Sequence, residues 1–162
     1  MKKKIKNILL IFAGVGIGAG IGAVSVARNS AKETMKWKEL SDKHLALMRL
    51  LNQWMITKQE GKSIVEYLKK ENIKSIAIYG MSYVGERLYD ELENSDIDIK
   101  FAIDKNAENI YSDIEIVTPE VSIEDVDAII VTPVFYFNEI EEKLHKKTSS
   151  VILSLEDILY TM

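Results

Sequence analysis

Apolar and polar residues follow three different patterns along the chain of 162 residues. From Ile8 to Ala27 no residue is charged, and Ser25 is the only polar side chain. Apolar residues then recur every three or four positions as far as about residue 58, which is the spacing of an amphipathic helix. From residue 73 onward, short apolar runs alternate with segments of helical spacing, which is typical of alternating strands and helices.

The uncharged run predicts a membrane segment, residues 1–28. A helix of about 20 residues spans about 30 Å, the thickness of a bilayer core. Lysines precede the run and Arg28 follows it. A cleaved signal peptide remains an alternative, since Ser25-Val26-Ala27 resembles a small-residue cleavage site. Basic residues on both sides leave the orientation open. We expect a single-pass protein of the cell membrane.

Residues 29–72 are predicted to form a helical linker. Its apolar stripe consists of Leu40, His44, Leu47, Met48, Leu51, Trp54 and Met55. The stripe predicts a long helix, roughly residues 31–58, that packs on the following domain or on a second copy of itself. Gly14, Gly18 and Gly22 repeat every four residues in the membrane segment, a spacing that lets helices approach closely. A homo-oligomer is therefore one expected assembly.

A strand–turn–helix–strand unit begins the C-terminal part. Ser75–Tyr79 is a β-rich run, and Gly80–Gly85 leads from it into a helix. Asp104 stands at the end of a second strand, residues 99–103. This pattern is close to the G-x-G-x-x-G fingerprint, in which the turn and helix N-terminus bind phosphate and the acid binds ribose. Ser82 replaces the middle glycine, which weakens the match to tight dinucleotide binding.

The predicted ligand-binding residues lie at the carboxyl ends of three strands. They are Gly80, Met81, Ser82, Tyr83, Val84 and Gly85 in the turn, Asp104 and Lys105 after the second strand, and Thr132 after the fourth. NAD(P) or a nucleotide-sugar is the expected ligand. Because such ligands are found in the cytosol, we expect the soluble domain to be cytoplasmic. A P-loop at Gly61-Lys62-Ser63 is rejected, because Ile56 occupies the position of its first glycine.

Three further strands are predicted at residues 114–117, 127–132 and 151–153. Helices are predicted at residues 135–146 and 155–160, whereas the link between the second and third strands is too short and polar for a full helix. The predicted fold of residues 73–162 is therefore α/β, a Rossmann-like parallel sheet of about five strands in the order 3-2-1-4-5. The long amphipathic helix and the transmembrane helix precede it.

Composition excludes several kinds of chemistry. The chain has no cysteine, which excludes disulfides, thiolate zinc sites and cysteine nucleophiles. Its two histidines, His44 and His145, fall in different elements, so we predict no metal site. A formal net charge of −4 gives no reason to expect nucleic acid as a partner. No catalytic residue is assigned.

With these motifs in view, residues from about Asp42 onward resemble a Rossmann-like module of bacterial capsular and exopolysaccharide loci. The resemblance rests on Leu51–Trp54, Ile76–Met81, Ala102–Asn106, Val131-Thr132 and Ser154–Leu159. Such modules are similar to the N-terminal part of sugar O-acyltransferases and to the NAD-binding part of nucleotide-sugar dehydratases. The resemblance implies NAD or nucleotide-sugar binding, with the phosphate at Gly80, Ser82 and Gly85. It also implies ribose at Asp104 and a glycosyltransferase as a partner.

Three functions remain open. The favoured one is a membrane-anchored, non-catalytic module that binds a nucleotide or nucleotide-sugar in surface polysaccharide biosynthesis. The second is an NAD-dependent or nucleotide-sugar-modifying enzyme, for which Tyr79, Tyr83 and Asp104 are the polar candidates near the turn. The Tyr-x-x-x-Lys motif of dehydratases has no match, and no second element brings acid–base groups to a substrate. The third is a protein-interaction scaffold that binds no ligand.

Overall fold

The computed structural model describes the backbone from Lys2 to Met162 and the side chains from Ser30 onward. The helices are α1 (Lys2–Gln59), α2 (Ile64–Lys70), α3 (Tyr83–Leu92), α4 (Phe137–Leu144) and α5 (Leu155–Thr161). The strands are β1 (Ser75–Tyr79), β2 (Asp98–Ile103), β3 (Ile116–Val117), β4 (Ala128–Val131) and β5 (Val151–Ser154). The chain divides into two compact units, Met1–His44 and Leu45–Met162, and the sheet belongs to the second.

All five strands pair in parallel in the order β3-β2-β1-β4-β5. The predicted α/β class and the strand order 3-2-1-4-5 are therefore confirmed. Only a short 3₁₀ turn, Ala107–Asn109, interrupts the link between β2 and β3. β4 is buried at every position, because layers cover both faces of a parallel sheet and leave no polar side.

The two faces of the sheet carry separate apolar clusters. Ile76 and Ile78 of β1 face a cluster formed with α2, α3, α5 and the end of α1. Ala77 and Tyr79 point the other way, into a cluster with α4. Successive side chains of a strand point to opposite faces, so β1 serves both layers. This arrangement places the start of α3 and the start of α4 on opposite sides of the end of β1.

The last turns of α1 belong to the same unit as the sheet. Leu50 and Trp54 are buried, and the Trp54 indole N–H donates to a Glu91 carboxylate oxygen at 2.8 Å. Met48 and Met55 are more than half exposed. The predicted apolar stripe therefore combined two faces of the helix, of which only one packs on the domain.

The predicted membrane segment, residues 1–28, lies outside the residues whose side chains are described. Within the part from Ser30 onward, no helix is both long enough and apolar enough to cross a membrane. The transmembrane helix therefore stays a prediction from the sequence.

Candidate functional site

The turn after β1 depends on glycine at its first position. Gly80 has a φ of +93°, a conformation that residues with a Cβ rarely adopt. A Cβ there would also lie 2.8 Å from the Pro133 ring and from the Thr132 hydroxyl oxygen. The Gly80 N–H donates to the Ile103 carbonyl at 2.8 Å, which ties the turn to the end of β2. Only glycine fits this position without displacing Thr132 and Pro133, the two residues that follow β4.

Gly85 allows α3 to begin directly against this turn. It is buried in the first turn of the helix, and a Cβ there would lie 2.0 Å from the Gly80 carbonyl oxygen. That distance is a severe overlap with backbone, which cannot move aside as a flexible side chain can. The geometry matches the close helix–strand packing for which the last glycine of the fingerprint is required.

The start of α3 presents free backbone donors. The N–H groups of Ser82, Tyr83 and Val84 have no hydrogen-bond partner among the described residues. Ser82 is the N-cap residue but its side chain makes no capping bond, and Tyr83 is largely exposed. Unpaired N–H groups and the helix dipole together favour an anion at such an end.

Asp104 braces the turn from the end of β2. One carboxylate oxygen accepts the Met81 N–H at 2.8 Å, and the other accepts the Asn106 N–H at 2.8 Å. The side chain is half-buried. Each carboxylate oxygen can accept more than one hydrogen bond, so ribose hydroxyls could still bind Asp104. Its first role in this structure is nevertheless to fix the turn.

Thr132 is held within the fold at the end of β4. It is 3% exposed, and its hydroxyl lies 2.8 Å from the Gly80 carbonyl oxygen and 3.1 Å from that of Tyr79. Its N–H also donates to the Tyr79 carbonyl at 3.0 Å. A hydroxyl has one proton, which these carbonyls already engage. Thr132 therefore joins β4 to the turn.

A pocket of about 380 Å³ opens at the carboxyl edge of the sheet, between the ends of β1, β2 and β4 and the first turns of α4. It is lined by Tyr79, Gly80, Asp104, Lys105, Asn106, Pro133, Tyr136, Glu139, Ile140 and Lys143. The strand order reverses between β1 and β4, which is where open α/β sheets bind their ligands.

The Tyr79 hydroxyl is a polar group of this pocket that the fold leaves without a partner. Tyr79 is 8% exposed, and its hydroxyl makes no hydrogen bond to any described residue. No fully buried side-chain nitrogen or oxygen in the described region lacks a partner, so the Tyr79 hydroxyl is accessible, and Tyr79 is one of the residues that line the pocket. A tyrosine buried to this extent usually gives its hydroxyl a partner.

Burial raises the pKa of Tyr79 above its ordinary value. The ammonium group of Lys143 lowers the pKa, whereas the carboxylates of Asp104, Glu120 and Glu139 raise it. The net shift is upward, so the phenol stays protonated at neutral pH. Tyr79 therefore offers a hydrogen-bond donor to the pocket and not a phenolate base.

An ion pair forms part of the pocket wall. Lys143 and Glu139 lie one helical turn apart on α4, with 2.6 Å between the ammonium nitrogen and a carboxylate oxygen. Their hydrogen bond is the main reason that the pKa of Glu139 is lowered and the pKa of Lys143 is raised. Lys105, on the opposite wall, lowers the pKa of Glu139 further.

The predicted site residues separate into three groups. Gly80, Asp104 and Lys105 line the pocket. Ser82 and Tyr83 are exposed at the start of α3. The buried group consists of Met81, Val84, Gly85 and Thr132, which pack or brace the turn.

Sequence reasoning missed the wall that α4 contributes. This wall is formed by the N-cap residue of α4, Tyr136, and by three residues within the helix, Glu139, Ile140 and Lys143. They follow one another at intervals of three, one and three residues, which is the spacing of one helix face. That face begins three residues after Pro133, at the predicted end of a strand. The spacing therefore places these four residues on one helix face next to the end of a strand, whereas Ile140 by itself indicates only a core position.

No group of three or more potential metal-ligating side chains occurs between Ser30 and Met162. No protein-family model matches the chain, and no curated protein or solved structure is significantly similar to it.

Proposed function

We propose that residues 73–162 bind a nucleotide or nucleotide-sugar at the carboxyl edge of the sheet and do not transform it. The observation that carries the proposal is Tyr79, a side chain that is nine-tenths buried and lines the pocket at the strand-order reversal, and whose hydroxyl has no partner among the described residues. Unsatisfied polar groups in a preformed crevice are the usual mark of a ligand site.

The phosphate position is the start of α3. The free N–H groups of Ser82, Tyr83 and Val84 suit a phosphate, and the exposed Ser82 leaves room for it. Asp104, after fixing the turn, still has acceptor positions for a ribose hydroxyl. This combination resembles the phosphate and ribose positions that the fingerprint predicts.

Non-catalytic binding is favoured over an enzyme. The raised pKa of Tyr79 removes the most suitably placed base at neutral pH. Glu139 has a lowered pKa and is paired with Lys143, which suits an ionised binding group more than a general acid. NAD-dependent or nucleotide-sugar-modifying chemistry is the alternative, and it requires turnover of the bound ligand.

A substitution at Ser82 tests the phosphate position without disturbing the fold. Ser82→Glu places a carboxylate at the start of α3, where negative charge favours the helix but repels a phosphate. We expect it to weaken binding of UDP, UDP-sugars and NAD to the full-length chain by at least tenfold in calorimetry. Ser82→Gln has nearly the same shape without the charge, and it should keep most of the affinity.

The binding test also separates the remaining functions. If the wild-type chain binds no nucleotide at millimolar concentration, the scaffold function replaces this proposal. If both Ser82 variants bind like the wild type, a ligand site exists but its phosphate lies elsewhere. Conversion of bound NAD or nucleotide-sugar into a product would establish the enzymatic alternative.

We further propose that residues 1–28 anchor the module in the cell membrane with residues 73–162 in the cytoplasm. The support is the uncharged run Ile8–Ala27. The link to surface polysaccharide biosynthesis, with a glycosyltransferase partner, is supported only by the resemblance in motifs. Alkaline carbonate washing of cell membranes tests the anchor, and a soluble protein or a mature N-terminus at Arg28 would contradict it.

A further inference from the structure

The pocket and the start of α3 lie on different sides of the end of β1. Tyr79 points into the cluster beneath α4, whereas Val84 and Leu88 of α3 belong to the cluster on the other face. Gly80 belongs to both the pocket and the turn. Asp104, the proposed ribose position, contacts the turn and lines the pocket at the end of β2. A ligand with its phosphate at the start of α3 and its ribose at Asp104 would therefore leave the side of the pocket between Tyr79 and α4 for the group that extends beyond the phosphate.

The charges around the pocket favour neither a cation nor an anion in addition to the phosphates. The pocket is lined by two ammonium groups, those of Lys105 and Lys143, and by two carboxylates, those of Asp104 and Glu139. A third carboxylate, that of Glu120, acts on Tyr79 from the loop after β3. The formal charges of the lining residues cancel, and Glu120 opposes an anion. A neutral group has the lowest desolvation cost in such surroundings.

The remaining hydrogen-bonding capacity of the pocket suits a group rich in oxygen. Tyr79 offers a free donor, and Asn106 supplies both donor and acceptor atoms. Pro133 and Ile140, with the ring of Tyr136, supply apolar surface. The volume of about 380 Å³ is near the lower end of the range for small-molecule pockets, roughly 300–1,000 Å³. One ring fits this space better than a second nucleotide.

We infer that the pocket holds an uncharged, hydroxyl-bearing ring of the hexose type, joined to the phosphates, with Tyr79 donating a hydrogen bond to one of its oxygens. This inference rests on the proposed function and narrows its ligand class to nucleoside diphosphate sugars. This ligand class excludes NAD, because its nicotinamide ring is positively charged.

Two matched ligand pairs test the inference on the full-length chain. UDP is compared with UDP-glucose, and GDP with GDP-mannose, by calorimetry. For at least one pair, we expect the sugar-bearing ligand to bind the wild type more tightly. Tyr79→Phe removes one hydroxyl, so it should weaken the sugar-bearing ligand roughly two- to tenfold more than it weakens the bare diphosphate. Tyr160→Phe, an exposed position on α5, is the control and should change neither.

The outcomes separate this inference from the function beneath it. Equal affinity of the diphosphate and its sugar ester in both pairs would overturn the inference and leave nucleotide binding intact. Equal weakening of both ligands by Tyr79→Phe would overturn it too, because Tyr79 would then contact the nucleotide. Tighter binding of NAD than of every sugar-bearing ligand would do the same. If no nucleotide binds at all, the proposed function fails and this inference falls with it.

Discussion

The turn after β1 and the pocket beside it use their polar groups in different ways. In the turn, the Asp104 carboxylate and the Thr132 hydroxyl form hydrogen bonds to backbone groups. Gly80 and Gly85 allow neighbouring atoms to approach more closely than a Cβ would permit. In the pocket, the Tyr79 side chain is 8% exposed, and its accessible hydroxyl has no partner among the described residues. Residues of a ligand-binding fingerprint can thus be explained by folding alone. The stronger sign of a ligand is a polar group that the fold leaves unsatisfied.

If the residues of the turn serve folding, the largest loss of stability is expected from a substitution at Gly85. Gly85→Ala places a Cβ 2.0 Å from the Gly80 carbonyl oxygen, so the helix or the turn must move. We expect a loss of about 3 kcal/mol or more in the free energy of unfolding, measured by chemical denaturation. Gly61→Ala is the matched control, because Gly61 has a positive φ but no neighbouring atom within 4 Å. It should cost only about 1–2 kcal/mol. Equal losses would show that the turn is not tightly packed.

Asp104 should come next, because two backbone donors depend on it. Asp104→Ala leaves the N–H groups of Met81 and Asn106 without their acceptor, at an expected cost of about 1.5–3 kcal/mol. Lys105→Ala, one residue further on and exposed, should stay within about 0.5 kcal/mol of the wild type. Thermal melting compares the two variants. If the Asp104→Ala protein is as stable as the Lys105→Ala protein, Asp104 does not brace the turn. Because Asp104→Ala is expected to lower stability, a loss of ligand binding in this variant would not by itself identify a contact between Asp104 and ribose.

Removing one hydroxyl from the turn and one from the pocket compares the two regions by the same chemical change. Thr132→Val removes a buried hydroxyl that bonds to two carbonyls, and it should cost about 1 kcal/mol. Tyr79→Phe removes a hydroxyl without a partner in the described part of the fold, and it should change stability by less than about 0.5 kcal/mol. If Tyr79→Phe is the more destabilising change, the Tyr79 hydroxyl has a structural partner and the pocket loses its main support.

The amino edge of the sheet allows a smaller test of carboxylate bracing. Asp127 accepts hydrogen bonds from the N–H groups of Lys74 and Ser75, and these bonds lower its pKa. A carboxylate with a lowered folded-state pKa stabilises the protein above its unfolded-state pKa. That stability is lost as the pH falls through the folded-state pKa, here below about pH 4. Melting curves from pH 6 to pH 3 should therefore fall less steeply for Asp127→Asn than for the wild type. Parallel curves would contradict this bracing.

The sheet could be predicted from the sequence because its signals are local. Each apolar run of β1, β4 and β5 is short, buried and followed by a turn residue, and the parallel order follows from the helices between them. The glycine turn was equally visible, since Gly80 and Gly85 act on backbone within a few positions.

The pocket could not be predicted in the same way, because its walls come from separate elements. Lys143 and Tyr79 are far apart in the chain and meet only when α4 folds over β1. The spacing of residues predicts the helical face that carries Lys143. No neighbouring residue in the sequence indicates that this face lines a pocket and not the open surface. In α1, the stripe spacing predicted a helix, yet it did not show that Leu50 would be buried while Met48 stays exposed. The choice of face depends on the tertiary packing.

Amide hydrogen exchange on the full-length chain, with and without a saturating nucleoside diphosphate sugar, tests the central claim most directly. We predict that the ligand slows exchange at Ser82, Tyr83 and Val84, whose N–H groups have no partner in the described part of the chain. Protection of these amides, with little change in α2 and α5, would place the phosphate at the start of α3. A bound ligand that leaves the exchange of these three amides unchanged would contradict the phosphate position.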